Sequence, residues 1–197
     1  MKIKICGLTR LEDAKFARQY GAAALGFVCV GASPRYIPLE RLRALCEALG
    51  PGCRKVGVFA DAPLELIRET VKACGLDTVQ LHGRESADFA RAIDFARVWK
   101  AVHLTSEAEL GAYRDFPAEL LLLDGARGGG GKVCDWNLAR QMAALRPVAL
   151  AGGISFDNAA AAIAAVGPEW LDLSGSLEVS PGIKSHDKIR TFLEEYK

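Results

Sequence analysis

Residues 54–82, RKVGVFADAPLELIRETVKACGLDTVQLH, contain one complete strand–helix–strand unit. RKVGVFA (54–60) is an almost continuous apolar run, which is typical of a strand that is covered on both faces. A helix is predicted at 63–74 and begins at Pro63, because proline is tolerated in the first turn. DTVQLH (77–82) supplies the next strand. Such a unit is the building block of a parallel sheet.

The same alternation of strand and helix continues over the whole chain. Strands are predicted at 2–6, 24–30, 54–60, 77–82, 97–103, 119–125, 147–152 and 170–175, and helices at 11–20, 39–49, 63–74, 85–93, 105–114, 136–144, 155–165 and 185–196. Eight units in 197 residues give about 25 residues per unit, close to the minimum for a strand, a turn and a helix. This regularity favours an α/β fold, a single (β/α)8 TIM barrel over residues 1–197, although an open doubly wound sheet is the alternative.

The composition limits the classes of partner. Lys and Arg number 25 against 24 acidic residues, a formal net charge of +1, so we expect neither nucleic acid nor a membrane surface as a partner. Six cysteines form no CxxC pair, which predicts free thiols in a reducing compartment. No signal-type apolar run is present. We therefore expect a cytoplasmic protein, either a monomer or a homodimer.

Several polar residues stand where predicted strands end. Cys6 ends the first strand, His82 the fourth and Asp124 the sixth, while Arg35 follows the second strand in Ser33-Pro34-Arg35. The carboxyl ends of barrel strands form the face on which active sites lie. The sequence therefore predicts that these side chains meet at one mouth.

Two glycine-bearing turns follow the last two strands. LAGGI (150–154) contains Gly152 and Gly153, and SGS (174–176) contains Ser174 and Gly175. Backbone N–H groups in such turns, ahead of a helix, bind anions, and the loops after strands seven and eight hold a phosphate in many barrels. The alternative is a pair of tight turns without a ligand. Two turns at the expected strands favour a phosphate site.

Cys6 and Asp124 belong to strands that are not neighbours in a closed barrel of eight. Their side chains can therefore face each other across a substrate, as an acid and a base that act on different atoms. A small buried hydrophobe is the alternative for Cys6, and a helix cap or a salt bridge for Asp124. Arg35 has the planar fork that suits a carboxylate or a phosphate, or it is a solvated surface arginine. His82 is interpreted as a polar lining of the pocket.

Motifs along the whole chain resemble those of the phosphoribosylanthranilate isomerase family. They are KICGLTR (4–10), GFV (26–28), SPRYI (33–37), KVGVFAD (55–61), VQLHG (79–83), LLLD (121–124), GGGGKVCDW (128–136), LAGGI (150–154) and DLSGSLEVSPGIKSHDKI (172–189). The resemblance implies an enzyme of tryptophan biosynthesis that uses no cofactor and no metal. Its substrate would be the small phosphorylated N-(5-phosphoribosyl)anthranilate, converted to 1-(2-carboxyphenylamino)-1-deoxyribulose 5-phosphate by an Amadori rearrangement.

The resemblance also implies roles for individual residues. Cys6 would be the general base that removes the proton from C2 of the ribose, and Asp124 the general acid that protonates the ring oxygen. Cys6 would be competent as a thiolate near neutral pH if nearby positive charge lowers its pKa. Arg35 would hold the anthranilate carboxylate. The phosphate would lie on Gly152, Gly153, Ser174 and Gly175.

The chain departs from the family pattern in two loops. Gly130 replaces a threonine and Cys134 a phenylalanine in the loop after the sixth strand, and the strand-eight turn reads SGSLE (174–178) where the family reads SSGVE. We expect the four-glycine run 128–131 to be costly to order over a substrate. We expect the second change to shift which residue adopts positive φ at the phosphate.

Other function classes compete with this interpretation. A histidine-pathway sugar-phosphate isomerase would set two aspartates across the mouth, where this chain has a thiol and an aspartate. A Schiff-base aldolase needs a lysine at a strand end, but Lys100 lies in mid-strand. A non-catalytic barrel that binds phosphorylated ligands lacks a reason to keep an acid, a base and an arginine. A zinc site is disfavoured because no cysteine–histidine spacing suits one.

Overall fold

The computed structural model describes residues 1–125 and 134–197. Eight parallel strands close into a barrel in which each strand pairs with the next along the chain, and the eighth pairs with the first. The strands are β1 (Lys2–Ile5), β2 (Ala24–Val28), β3 (Arg54–Phe59), β4 (Thr78–Leu81), β5 (Arg97–Val102), β6 (Leu120–Leu123), β7 (Val148–Leu150) and β8 (Trp170–Leu173). The predicted barrel is confirmed.

A helix follows each barrel strand, as the alternation in the sequence predicts. The helices are α1 (Leu11–Gln19), α2 (Leu39–Leu49), α3 (Leu64–Cys74), α4 (Ala87–Arg91), α5 (Ala108–Arg114), α6 (Trp136–Ala143), α7 (Phe156–Val166) and α8 (His186–Tyr196). After β8 the chain adds a 3-10 helix (Gly175–Leu177) and a two-stranded hairpin, β9 (Glu178–Ser180) with β10 (Ile183–Lys184). No helix within the described ranges is both long and apolar enough to cross a membrane.

Alternate residues of each strand serve two separate cores. Ile3 and Ile5 of β1 belong to the large cluster between the strands and the helices, whereas Lys4 lies between them and is 1% exposed. Because successive side chains of a strand point to opposite faces, Lys4 and Cys6 share the inner face of the barrel. Trp99 and Trp170 fill part of that interior, with ring centroids 5.0 Å apart.

Cys6 belongs to a small apolar group nearer the mouth of the barrel. It packs with Val28 and Val58, and the half-buried Val30 lies against the same group. These side chains keep water from one side of the thiol, which matters for its ionisation.

The helix boundaries follow local capping chemistry, with one prediction wrong. The Ser155 N–H donates to Asn158 Oδ1 (2.9 Å) before α7, and Ser185 Oγ accepts from the Lys188 N–H (3.3 Å) before α8. The predicted start of the fifth helix at Thr105 is wrong. The N–H and hydroxyl of Thr105 both donate to Glu109 Oε2, and the helix begins only at Ala108. The Glu109 carboxylate thus binds the N–H groups of the segment that precedes α5.

Candidate functional site

Cys6 comes directly after β1, and the backbone holds it firmly. Its N–H donates to the carbonyl oxygen of Leu173 in the neighbouring strand β8 (2.8 Å), and Cys6 is 8% exposed. Burial raises the pKa of the Cys6 thiol above its ordinary value, although the ammonium groups of Lys4 and Lys184 oppose that rise. The positive charge that the sequence analysis required is therefore present, but in the unliganded protein burial outweighs it.

Asp124 comes directly after β6 at the same end of the barrel. Its N–H donates to the Val102 carbonyl oxygen (3.0 Å), and its side chain is 13% exposed with Oδ2 3.3 Å from His82 Nε2. The ring of His103 lies beside the backbone of Asp124, with Nδ1 3.0 Å from the carbonyl oxygen. The carboxylate therefore reaches the mouth while its backbone is fixed from two sides.

His82 links Asp124 to β4. Gln80 Nε2 lies 3.1 Å from His82 Nδ1, so with the Gln80 amide in this orientation Nδ1 accepts a hydrogen bond. The proton of a neutral imidazole then sits on Nε2, the ring nitrogen that lies 3.3 Å from Asp124 Oδ2. His82, which was interpreted as pocket lining, is a direct neighbour of the candidate acid.

Arg35 reaches over the mouth and contacts a carboxylate of its own chain. Its Nε and Nη2 donate to the two oxygens of Glu178, at 2.8 and 2.7 Å. The aliphatic part of Arg35 lies on Gly7, where an added Cβ would be 2.6 Å from Arg35 Cδ. Glu178 also accepts from Lys184 Nζ (2.8 Å). Burial raises the pKa of Glu178, but the hydrogen bonds from Arg35 and Lys184 outweigh burial and lower it.

The two predicted phosphate turns differ in backbone conformation. Gly152 and Gly153 both have positive φ, +64° and +70°, and the Gly153 carbonyl oxygen accepts from Asn158 Nδ2 (2.8 Å) in α7. Such consecutive left-handed glycines directly before a helix leave backbone N–H groups available to an anion.

The strand-eight turn contradicts one expectation. No residue in 174–178 has positive φ, so the changed order of serine and glycine does not relocate a left-handed position. Gly175 instead lies close to Arg35, since a Cβ at this position would be 3.2 Å from Arg35 Nη2. The carbonyl oxygen of Ser174 accepts from Lys184 Nζ (3.1 Å), which ties the turn to β10.

Comparisons with known proteins agree with this geometry. The family described as N-(5'phosphoribosyl)anthranilate (PRA) isomerase matches residues 3–195. The N-(5'-phosphoribosyl)anthranilate isomerase of Pelobacter propionicus is 42% identical over 197 residues, which is 98% of this chain and 94% of the relative.

The chain belongs to the PRA isomerase family.

Solved PRA isomerase structures superpose over nearly the whole chain. The crystal structure of the enzyme from Thermus thermophilus gives a TM-score of 0.92 at 43% identity and covers 98% of this chain and 97% of its own. A PRA isomerase in complex with reduced 1-(o-carboxyphenylamino)-1-deoxyribulose 5-phosphate gives 0.86 at 36% identity, with 98% and 97% covered.

One of the two departures from the PRA isomerase pattern falls partly outside the described residues. The four-glycine run 128–131, including Gly130, lies there. Cys134 is described and buried, and burial raises its pKa to about 11. It thus fills the position of the family's phenylalanine as a small protonated apolar group.

Sequence reasoning missed the charged residues behind the mouth. Lys4 Nζ lies 2.9 and 3.0 Å from the two oxygens of Asp172, and Glu178 and Lys184 support Arg35. A weak signal existed for Lys4, because it stands two residues before Cys6 and therefore on the same face of the strand. Glu178 and Lys184 lie between the predicted strand 170–175 and the predicted helix 185–196, where the sequence predicts neither a strand nor a helix.

Proposed function

We propose that this chain converts N-(5-phosphoribosyl)anthranilate to 1-(2-carboxyphenylamino)-1-deoxyribulose 5-phosphate, an aldose–ketose isomerisation in tryptophan biosynthesis. The observation that carries the proposal is the placement of a thiol and a carboxylate at the carboxyl ends of β1 and β6, two strands that do not pair. This placement suits two groups that act on different atoms of one bound sugar.

Cys6 and Asp124 divide the proton transfers between them. Asp124 as a carboxylic acid gives its proton to the ring oxygen while the bond from C1 to that oxygen breaks and the nitrogen lone pair forms C1=N. Cys6 as a thiolate then takes the proton from C2, and the electrons of the C–H bond form an enolamine. In the ketonisation of the enolamine, the Cys6 thiol returns a proton to C1 while the C2 hydroxyl gives its proton to the Asp124 carboxylate, which yields the product and restores both groups. Each step conserves charge and needs no redox partner.

The charged ends of the substrate have separate binding groups in this proposal. The phosphate binds the N–H groups around Gly152, Gly153, Ser174 and Gly175, because the first turn precedes α7 and the second begins the 3-10 helix at the same end of the barrel. Arg35 binds the anthranilate carboxylate. His82 contributes to binding through its contact with Asp124. Two fixed ends leave little freedom for the reacting carbon atoms between them.

The remaining sequence predictions concern the protein as a whole. We infer one domain over residues 1–197, because every described strand outside the β9–β10 hairpin belongs to a single closed barrel. A small phosphorylated substrate, a cytoplasmic location and a monomeric or homodimeric state complete the proposal. Analytical ultracentrifugation distinguishes the two assemblies.

The reaction is tested with freshly generated N-(5-phosphoribosyl)anthranilate, by following the loss of its anthranilate fluorescence and by identifying the product by mass spectrometry. We expect rapid conversion by the wild-type protein and conversion slower by about 10² or more by Cys6→Ala. Binding of the substrate without conversion by the folded wild-type protein would contradict the proposal and favour a non-catalytic phosphosugar-binding barrel.

A further inference from the structure

A buried ion pair lies inside the barrel, and its member on β1 stands two residues before Cys6. The proton transfers proposed above do not use this pair. Lys4 of β1 faces Asp172 of β8, its register partner, and their side chains are 1% and 9% exposed. Removing both charges from water is costly, and apolar replacement of such a pair often leaves stability unchanged. The pair therefore invites a functional explanation.

Gly26 shows how closely the ammonium group and the thiol approach each other. A Cβ added at Gly26 of β2 would lie 2.9 Å from Cys6 Sγ, 2.9 Å from Lys4 Cε and 3.0 Å from Lys4 Nζ. Both side chains thus border the same point beside a residue that has no side chain. Hydrogen bonding and Coulombic attraction from Lys4 both favour the thiolate form of Cys6.

The other charged groups around Cys6 belong to three further elements. Asp172 on β8 disfavours the thiolate, whereas Lys184 on β10 favours it. Arg35, in the loop after β2, also interacts with the thiolate, but its guanidinium is held by Glu178. Val28 and Val58 add apolar cover. Of the charged groups, Lys4 counters the effect of burial most strongly.

We propose that Lys4 is a positioning residue that stabilises the Cys6 thiolate, and that Asp172 limits that stabilisation. The proposal rests on the proposed role of Cys6 as the base. Lys4 stays protonated throughout: burial lowers its pKa, but Asp172 and Cys6 more than offset burial and raise it. The proton that Cys6 accepts from C2 therefore remains on sulfur while Lys4 keeps its charge.

The test is the pH dependence of Cys6 alkylation by iodoacetamide, followed at the Cys6 peptide by mass spectrometry. Lys4→Met should raise the apparent pKa of Cys6 by about one unit or more, which is roughly a tenfold slower alkylation at pH 8. Asp172→Asn should shift the profile in the opposite direction, because it removes a negative charge and releases Lys4. A structural role alone would not give opposite shifts.

Lys100→Met is the matched control. Lys100 is also a buried lysine in a barrel strand, with Nζ 2.9 Å from Glu85 Oε2, but it is not among the groups that act on Cys6. Its alkylation profile should equal that of the wild type. An unchanged profile in folded Lys4→Met would overturn the proposal. If Lys4→Met does not fold, Asp172→Asn decides, since an unchanged or raised apparent pKa contradicts the proposal.

The same variants separate this inference from the proposed function. Alkylation reports on the thiol whether or not the protein turns over substrate. Full activity of Cys6→Ala would refute the role of Cys6 as base without changing the alkylation profiles. If the role is correct, the ascending limb of the kcat/KM profile moves with the alkylation profile in Lys4→Met and in Asp172→Asn. If the alkylation profile shifts but the ascending limb of the kcat/KM profile does not, the effect of Lys4 on catalysis by Cys6 is refuted.

Discussion

Arg35 is assigned to the anthranilate carboxylate, yet its guanidinium already contacts Glu178 through Nε and Nη2. Among the described residues, no hydrogen bond from Arg35 Nη1 is found, so the Nη1 side of the guanidinium is open to a substrate. A substrate carboxylate therefore meets an arginine whose orientation is already set, which lowers the entropy cost of binding. Glu178 keeps a second cation, Lys184, when Arg35 is removed.

Arg35→Ala should raise KM for N-(5-phosphoribosyl)anthranilate by about tenfold or more, since a hydrogen bond to a charged group contributes about 1.5–3 kcal/mol. The effect on kcat should be smaller, because the contact exists before and during the reaction. Steady-state kinetics measure both quantities. Arg43→Ala, which removes an exposed arginine paired with Glu47 on α2, is the control. An unchanged KM in Arg35→Ala would remove Arg35 from the carboxylate site.

For individual residues, the sequence predicts those that stand at strand ends and misses the charged residues that contact them from deeper in the barrel. Cys6, Asp124 and His82 follow from where their strands end. The Lys4–Asp172 contact depends on the register of β1 against β8, which brings together residues far apart in the sequence. Pairing of that kind is set by barrel closure and leaves no local pattern.

Among the secondary-structure elements, β1 and β2 have the closest relation to the chemistry. Gly26 lies beside Lys4 and Cys6 and leaves the space that both side chains fill. Glycine in a strand interior is otherwise unfavourable and marks a close approach. Glycine at position 26 therefore lowers the β propensity of β2 but leaves room for the thiol of Cys6 and the ammonium group of Lys4.

Gly26→Ala should slow the reaction and destabilise the fold by about 1–3 kcal/mol, because the new methyl group overlaps Cys6 Sγ and Lys4. Urea denaturation and single-turnover kinetics measure the two effects. Gly31→Ala is the matched control, since nothing lies within 4 Å of its Cβ position. Equal behaviour of the two variants would show that the space beside Gly26 is not needed.

Element boundaries follow well from the sequence where a run is long and apolar. The eight barrel strands lie within their predicted ranges and are shorter by one to three residues. The β9–β10 hairpin was missed because its strands have only three and two residues, too few to show a period. α4 is shorter than the predicted 85–93 since Glu85 is drawn to Lys100 and to the backbone N–H groups of Asp61 and Gly83.

For the whole molecule, the packing of helices on the barrel decides how the thiols behave. All six cysteines are free. Burial raises the pKa of Cys29 and of Cys46 to about 12. The native protein thus holds these protons at pH values where the thiols of an unfolded chain, with a pKa of about 8.5, have lost theirs. Unfolding releases protons in that window, so stability falls as pH rises from about 9 towards 12.

The urea midpoint should therefore be lower at pH 10.5 than at pH 8 under reducing conditions. In Cys29→Ala/Cys46→Ala the drop between the two pH values should be smaller, because two groups with raised pKa are gone. Cys53→Ala, which removes a half-buried thiol and leaves both Cys29 and Cys46 in place, should keep most of the drop. An equal drop in the double variant and the wild type would show that these thiols do not govern alkaline stability.

The closed barrel itself was predictable, because eight regular units and apolar strands leave few other architectures. What the sequence could not supply is the electrostatic balance at the mouth. The pKa of Cys6 depends on burial against opposing charges from β1, β8 and β10, and this balance exists only when the strands are assembled.

The central claim is that Cys6 and Asp124 are the base and the acid of one reaction. The most direct test is the single-turnover rate of N-(5-phosphoribosyl)anthranilate conversion with enzyme in excess, since this rate does not include product release. Cys6→Ala and Asp124→Asn should each lower it by about 10² or more, the usual contribution of general acid–base catalysis. A rate within about threefold of wild type in either folded variant would contradict the role assigned to that residue.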